Sequence, residues 1–351
     1  MGETLAVGLT HYPPLTWPDR HMADILRWTL GDPDIPAELR DPSGWPEPMA
    51  AEYGDDGGAA AAARHRDVLV ADLRRLRHAI DDFRPDVVVV WGDDQYESFR
   101  EECVPAFCVM ALPDTKVQPW EKPFMGIPNF WEEPADTTFT VPGAPEIGKH
   151  VTGALLDAGF DVAYSYRSRD GEAFPHAFLN TLLFLDYDRK GFDIPMLPIA
   201  INCYGRHLVT RRGGLARFAD AVPPERADPP SPSPARCAAL GAEVARVLAA
   251  SPWRTVLVAS SSWSHAFLTD KTWRLHPDTD SDRRLYDALA ASDFATWRET
   301  PLSAIEDAGQ QEMLNWFCLL GAVEELGLSL EWSEFVETWV LNSNKCFAQW
   351  R

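Results

Sequence analysis

The sequence predicts an α/β fold: a single domain over residues 1–351, with a central mixed sheet flanked by helices. Bare apolar runs such as Leu5–Leu9, Val87–Trp91, Ile194–Ile201 and Thr255–Ala259 read as strands buried on both faces. Stretches of helical periodicity separate them, and that alternation is the signature of a sheet with crossover helices. The 351 residues are 46% hydrophobic and include 14 Trp and 17 Phe, enough for an enzyme-sized core.

Taken in order, Leu5–Leu9 is a short strand, and Pro13 and Pro14 keep the following His11–Pro14 from becoming helix. The run GDDGGAAAAA between Gly54 and Ala63 is low in complexity. Beyond it, Val68, Leu69, Leu73, Leu76 and Ile80 mark a helix from Arg64 to Phe83, closed by Arg84-Pro85. The Val87 strand ends abruptly in Gly92-Asp-Asp-Gln-Tyr-Glu97. Polar groups at the carboxyl end of a buried strand stand where open α/β sheets bind ligands.

From Leu112 to Pro145 the chain is rich in Pro and aromatics and reads as a long ordered loop over a cleft, or equally as surface packing. A helix is expected from Ala144 to about Ala158, a strand over Gly159–Tyr164, and a further helix and strand over Cys237–Ala250 and Thr255–Ala259. The Pro-rich stretch 222–235 between them reads as an exposed loop inside the same domain. Ser303–Leu326 carries an apolar stripe through Ile305, Met313, Phe317, Leu320 and Val323, with Glu312 beside it on one helix.

Lys and Arg number 32 against 53 Asp and Glu, a net charge of −21 that disfavours nucleic acid and anionic membrane surfaces as partners. No run approaches a membrane span of roughly 18 apolar residues, and the amino terminus lacks the parts of a signal peptide. A cytoplasmic protein is expected. The six cysteines are scattered without a CxxC pair and read as buried thiols rather than zinc ligands or disulfides.

Of nine histidines, His65, His78 and His276 lie in polar surroundings, and His21 and His207 read as structural. Four stand where a site can form: His11, His150, His176 and His265. Six stretches in order set them in a pattern: Gly8-Leu-Thr-His11; Pro85–Val90 with its polar end; Ile147-Gly-Lys-His150 with Gly159-Phe-Asp161; Pro175-His-Ala-Phe178; Val256–His265; and Ala308–Trp316 leading to Gly321-Ala322. From about Leu5 to Gly327 the chain resembles the catalytic subunits of class III extradiol ring-cleavage dioxygenases, typified by the protocatechuate 4,5-dioxygenase beta subunit.

In that family two histidines and a late glutamate hold Fe(II), leaving neighbouring positions for catecholate and dioxygen. The resemblance assigns His11 and Glu312 to the first and third positions. The second falls on Gln95, because the family's Asn-Asp-His strand end aligns with Asp93-Asp94-Gln95 when Phe99 and Pro105 are the anchors. A glutamine carbonyl is a weaker donor than imidazole, so Asp94 or His21 is expected to join, and Mn(II) or another divalent ion becomes admissible beside Fe(II).

The resemblance further implies that His265 is the acid/base residue, with His150 and His176 near the ring substrate. Arg206 and His207 are candidates to meet a substrate carboxylate. It also implies a small catechol-like or aminophenol-like substrate, dioxygen as co-substrate, and a homodimer, sometimes with a small helical subunit. Two other readings stand beside ring cleavage: a repurposed scaffold doing non-oxidative metal-assisted or acid/base chemistry, and a non-catalytic subunit. The acidity of Asp93–Glu97 favours the former; the joint presence of His11, Glu312 and His265 counts against the latter.

Overall fold

A computed structural model describes residues 2–168, 174–215, 217–220 and 223–351. Residue 222, the start of the expected Pro-rich loop, lies outside the described residues. Among the described residues ten strands are present: β1 (Thr4–Leu9), β2 (Val87–Asp93), β3 (Phe107–Met110), β4 (Thr115–Val117), β5 (Phe139–Val141), β6 (Ala163–Ser165), β7 (Met196–Ile201), β8 (Thr255–Ser260), β9 (Leu330–Val336) and β10 (Lys345–Trp350). Eight form one mixed sheet in the order β6-β3-β7-β2-β8-β1-β10-β9. Its middle, β7-β2-β8-β1, is parallel, and antiparallel strands flank it on both sides.

The unbroken apolar runs follow from that position. On β2, Val88 and Val90 face the helices Ala59–Phe83 and His176–Leu185, while Val87, Val89 and Trp91 face Pro145–Asp157, Pro234–Ala249 and Leu314–Leu326. With both faces covered, strand alternation has no polar side to show. The alanine run joins the first of these helices, which starts at Ala59, because alanine costs no side-chain entropy there.

The expected loop 112–145 carries the hairpin of β4 and β5 and folds over the turn after β1, with Phe124 stacked on Trp17 and the Phe130 N–H donating to the Thr16 carbonyl. The expected helix from Ser303 to Leu326 is broken instead. It runs Leu302–Asp307, pauses at Gly309 with φ +70°, makes a 3-10 turn over Gln311–Met313 and resumes at Leu314. A side chain on Gly309 would press within 2.5 Å of the His265 carbonyl, so glycine is required there by conformation and by space.

On the far face the helices Pro234–Ala249 and Leu314–Leu326 touch through glycine. A methyl group on Gly321 would come within 2.1 Å of the Ala238 carbonyl. Gly321→Ala therefore gains roughly 0.5–1 kcal/mol of helix propensity but forces two backbones apart, at roughly 1–3 kcal/mol. A lowered thermal midpoint is expected; an unchanged or raised one would show that these helices are free to separate.

Candidate metal centre and active site

The parallel strands β7, β2, β8 and β1 end at one edge of the sheet and deliver their next residues to the same place. His11 follows β1, Asp93 ends β2, Tyr204 follows β7, and the turn to His265 follows β8. Glu312 arrives on the 3-10 turn that Gly309 creates. His11, Asp93 and Glu312 are 1%, 0% and 2% exposed, so the imidazole and the two carboxylates face one another away from bulk solvent.

The orientation of His11 is fixed from behind. Its Nδ1 lies 2.9 Å from the Ser260 carbonyl, which makes Nδ1 the protonated nitrogen, and the Asn180 amide holds its backbone carbonyl at 3.0 Å. Nε2 then presents a lone pair, a tautomer typical of metal-binding histidine. It stands 3.3 Å from Glu312 Oε2 and 3.6 Å from Asp93 Oδ1. Both Asp93 oxygens and Glu312 Oε2 are buried without any hydrogen-bond donor.

His176, the first residue of its helix, approaches from the other side. Its ring centroid is 5.0 Å from that of His11, and one donor atom each of His11, Asp93 and His176 lie within 4.8 Å of one another. Its Nδ1 is held by Glu97 at 3.1 Å. Burial opposes charge on His176, but Glu97, Asp93 and Glu312 outweigh it and push it up to about 10. Burial and the adjacent Glu312 carboxylate raise Asp93. Glu312 goes the other way: burial works against its charge, yet His265, His11 and the Tyr204 hydroxyl, which donates at 2.5 Å, hold it low.

The donor set fits a divalent cation. Two imidazole nitrogens and the Asp93 carboxylate converge, Glu312 stands against His11 beside them, and the carboxylate oxygens turned toward His11 lack protein donors. His265 sits beside this cluster with Nε2 3.4 Å from Glu312 Oε1. Burial lowers it below the usual histidine value and favours the neutral ring, and its Nδ1 has no partner.

Other expected site residues lie elsewhere. Gln95, expected at the second ligand position, turns its amide to the Gly213 carbonyl. Asp94 accepts the backbone N–H groups of Glu97, Ser98 and Phe99 and so caps the turn after β2 instead of joining the cluster. His150 is exposed on its helix and packs against Trp253. His21 pairs with Asp24. Arg206 is exposed and pairs with Glu306, while His207 is half-buried. Asp93, Glu97 and Tyr204 are the residues that sequence reasoning left unassigned; the density of acid after Trp91 was the one signal for the first two, and Tyr204 had none.

One buried carboxylate braces the two turns that carry His265 and Glu312. Asp282 accepts the Ser264 N–H at 3.1 Å, the Gln310 amide at 2.7 Å and the Asn344 amide at 2.9 Å. Asn344 in turn belongs to the strap that receives the Trp263 N–H on its carbonyl. Buried Lys345 continues that strap, with Nζ 3.7 Å from the centre of the Tyr12 ring.

Comparison with known proteins adds a chemical direction. No family model matches the chain. It is 28% identical over 142 residues to a protein of Photorhabdus laumondii named 2,3-dihydroxyphenylpropionate/2,3-dihydroxicinnamic acid 1,2-dioxygenase, covering 40% of this chain and 38% of that protein. It is 29% identical over 193 residues to a protein of the same name from Comamonas testosteroni, covering 55% and 47%. The chain is a distant relative of these dioxygenases. Each match spans less than half the length of the curated relative. An uncharacterized protein of Escherichia coli K12 superimposes with a TM-score of 0.44 at 16% identity, over 80% of this chain and 91% of that one. Among the described residues no helix is long and apolar enough to cross a membrane.

Removing the brace tests how the turns are held. Asp282→Ala leaves three buried donors without an acceptor, at about 1–3 kcal/mol each if none finds another. A drop of several kcal/mol in unfolding free energy is expected from urea titration; a loss under about 1 kcal/mol would mean that the turns stand without it.

Proposed function

We propose that the chain is a metal-dependent extradiol-type dioxygenase that opens a catechol-like ring. The observation that carries this reading is the meeting of buried His11 and Asp93 with half-buried His176, with buried Glu312 against His11 and carboxylate oxygens that no protein donor reaches. Distant relatives named as dioxygenases of dihydroxyphenyl acids support the chemistry and make a dihydroxyphenyl compound the first substrate class to try. Fe(II) is the expected ion, with Mn(II) next.

In this reading His11 and His176 supply imidazole nitrogen, and Asp93 and Glu312 supply oxygen. His176 fills the role that the alignment had given to Gln95, and Glu97 orients it from behind. When bound, a redox-active ion would bring catecholate and dioxygen side by side and let electron density pass between them.

The protein's own part is proton handling. Neutral His265 takes a phenolic proton from the substrate and returns it to an oxygen of the opened ring. The Tyr204 hydroxyl, bonded to Glu312 Oε1, keeps that carboxylate in one orientation.

Two measurements test the assignment. Metal content after anaerobic reconstitution with Fe(II) or Mn(II) is expected to fall by more than about tenfold in affinity for Asp93→Ala or His176→Ala, and to stay unchanged for Gln95→Ala. Loss in the Gln95 variant with none in the other two would restore the aligned position. In the second, oxygen electrode traces with catechols are expected to show uptake and a new visible absorbance. His265→Ala should retain metal and lose about 10²–10⁴ in turnover; full activity would remove His265 from the chemistry, and no uptake on any catechol would refute ring opening.

A further inference from the structure

On the face of the sheet covered by the helices Pro234–Ala249 and Leu314–Leu326, aromatic rings stand in a line that starts beside the metal-binding cluster and ends at the surface. The line begins at Trp316. Its indole lies against Gly8 of β1, where an added methyl group would come within 2.1 Å of the ring, and Gly8 is three residues before His11. Glu312 is four residues before Trp316, about 6 Å along a helix. The adjoining Asn315 amide donates at 3.3 Å to the Ser260 carbonyl, the same oxygen that His11 Nδ1 bonds. Trp316 is therefore anchored to the segments that carry His11 and Glu312.

From Trp316 the rings continue outward in edge-to-face contact. Trp263 is 5.4 Å from Trp316 between centroids, and Tyr286 is 6.4 Å from Trp263. Phe335, 5.7 Å from Trp263 and stacked at 5.3 Å on Tyr286, packs beside that second step. A side branch runs from Trp263 to Trp297 at 5.9 Å and stops at Phe317, a ring that resists oxidation. Trp316, Trp263 and Trp297 are buried, whereas Tyr286 is half-buried on the helix Thr279–Ala290, with its hydroxyl at the edge strand β9.

Proton partners differ along the line. Among the described residues Nε1 of Trp316 and Nε1 of Trp263 are buried without an acceptor, a loss of hydration that packing alone does not return. An indole that gives up an electron becomes a strong N–H acid, and proton loss to an acceptor traps it as a radical. With no acceptor at either nitrogen, the oxidised ring is better relieved by an electron from the next ring than by losing its proton. Tyr286 is the opposite case: its hydroxyl donates to the Ser333 carbonyl at 3.3 Å, lies 3.2 Å from Ser333 Oγ, and is near solvent that takes the proton.

We propose that Trp316, Trp263 and Tyr286 form an electron relay that carries an oxidising equivalent from the metal centre to the surface when oxidant arrives without ring substrate. The relay rests on the reading of the cluster as the seat of a redox-active ion, but needs neither a catechol nor ring opening. With hydrogen peroxide as oxidant the O–O bond breaks and two waters form, which takes two electrons and two protons. One electron comes from Fe(II), which becomes Fe(III), and the other from Tyr286 by way of Trp263 and Trp316. The Tyr286 hydroxyl proton leaves to solvent, solvent supplies the two that peroxide takes, and a tyrosyl radical remains where a soluble reductant such as ascorbate returns a hydrogen atom to it. His11 and its neighbours are spared the oxidation.

The test adds hydrogen peroxide to the Fe(II)-loaded protein, anaerobically and without catechol, after its iron content has been measured. Freeze-quenched samples are read by electron paramagnetic resonance and by peptide mass spectrometry. Wild type is expected to give a tyrosyl signal and modification at Tyr286, and metal-free protein neither. Tyr286→Phe should lose the signal and shift oxidation back to Trp263 and Trp316, while Trp263→Phe should stop it at Trp316. The first variant removes one half-buried hydroxyl, so it reads the relay even where the core substitution fails to fold. A tyrosyl signal that survives in Tyr286→Phe, or oxidation confined to Tyr204, Met313 and His11 in protein that holds iron, overturns the relay and leaves the metal centre standing. Protein that takes up no iron overturns both. A radical at Tyr286 without oxygen uptake on any catechol upholds the relay and refutes ring opening alone.

Discussion

The arrangement depends on two carboxylates, Asp93 and Glu312, buried against one face of His11 with oxygens that no protein donor reaches. Taking such charges out of water costs several kcal/mol each unless a positive group stands among them. The fold meets that need partly with His176, which Glu97 and the same two carboxylates keep protonated. A divalent ion meets it more completely, which is why a site that is electrostatically costly to the polypeptide alone makes chemical sense as a metal centre.

Everything around the cluster serves to hold it still. The parallel middle of the sheet sets four chain ends at one edge, and apolar layers on both faces leave those strands no room to shift. Ser260 and Asn180 fix His11, Glu97 fixes His176, and Tyr204 fixes Glu312. Asp282 joins the turns of His265 and Glu312 to the carboxyl-terminal strap, so β9 and β10, which contribute no ligand, still bear on the site.

Net charge and local charge separate in this protein. The chain carries a net charge of −21, whereas Arg211 and His207 after β7 lie near Arg274, which follows β8.

Much of the fold was legible in the sequence because periodicity is a local property. Unbroken apolar runs announced β1, β2, β7 and β8, and helical spacing announced the helices Pro145–Asp157, Pro234–Ala249 and, from Arg64 onward, Ala59–Phe83. Strands β9 and β10 were not announced: β9 is a polar edge strand, and β10 contains Lys345 and Gln349, polar residues whose burial only their neighbours explain. The break at Gly309 was hidden by an apolar stripe that continues across it. For the site, strand-end position marked His11 and His265 as places where chemistry could sit, and the resemblance to the extradiol dioxygenases added Glu312. Only the tertiary structure decided that Asp93 and His176 stand beside His11 while Gln95 turns to the Gly213 carbonyl. Convergence of side chains from β2 and from a helix start some 80 residues later, as the Glu97–His176 separation of 79 shows, is set by packing across the sheet, and no local pattern encodes it.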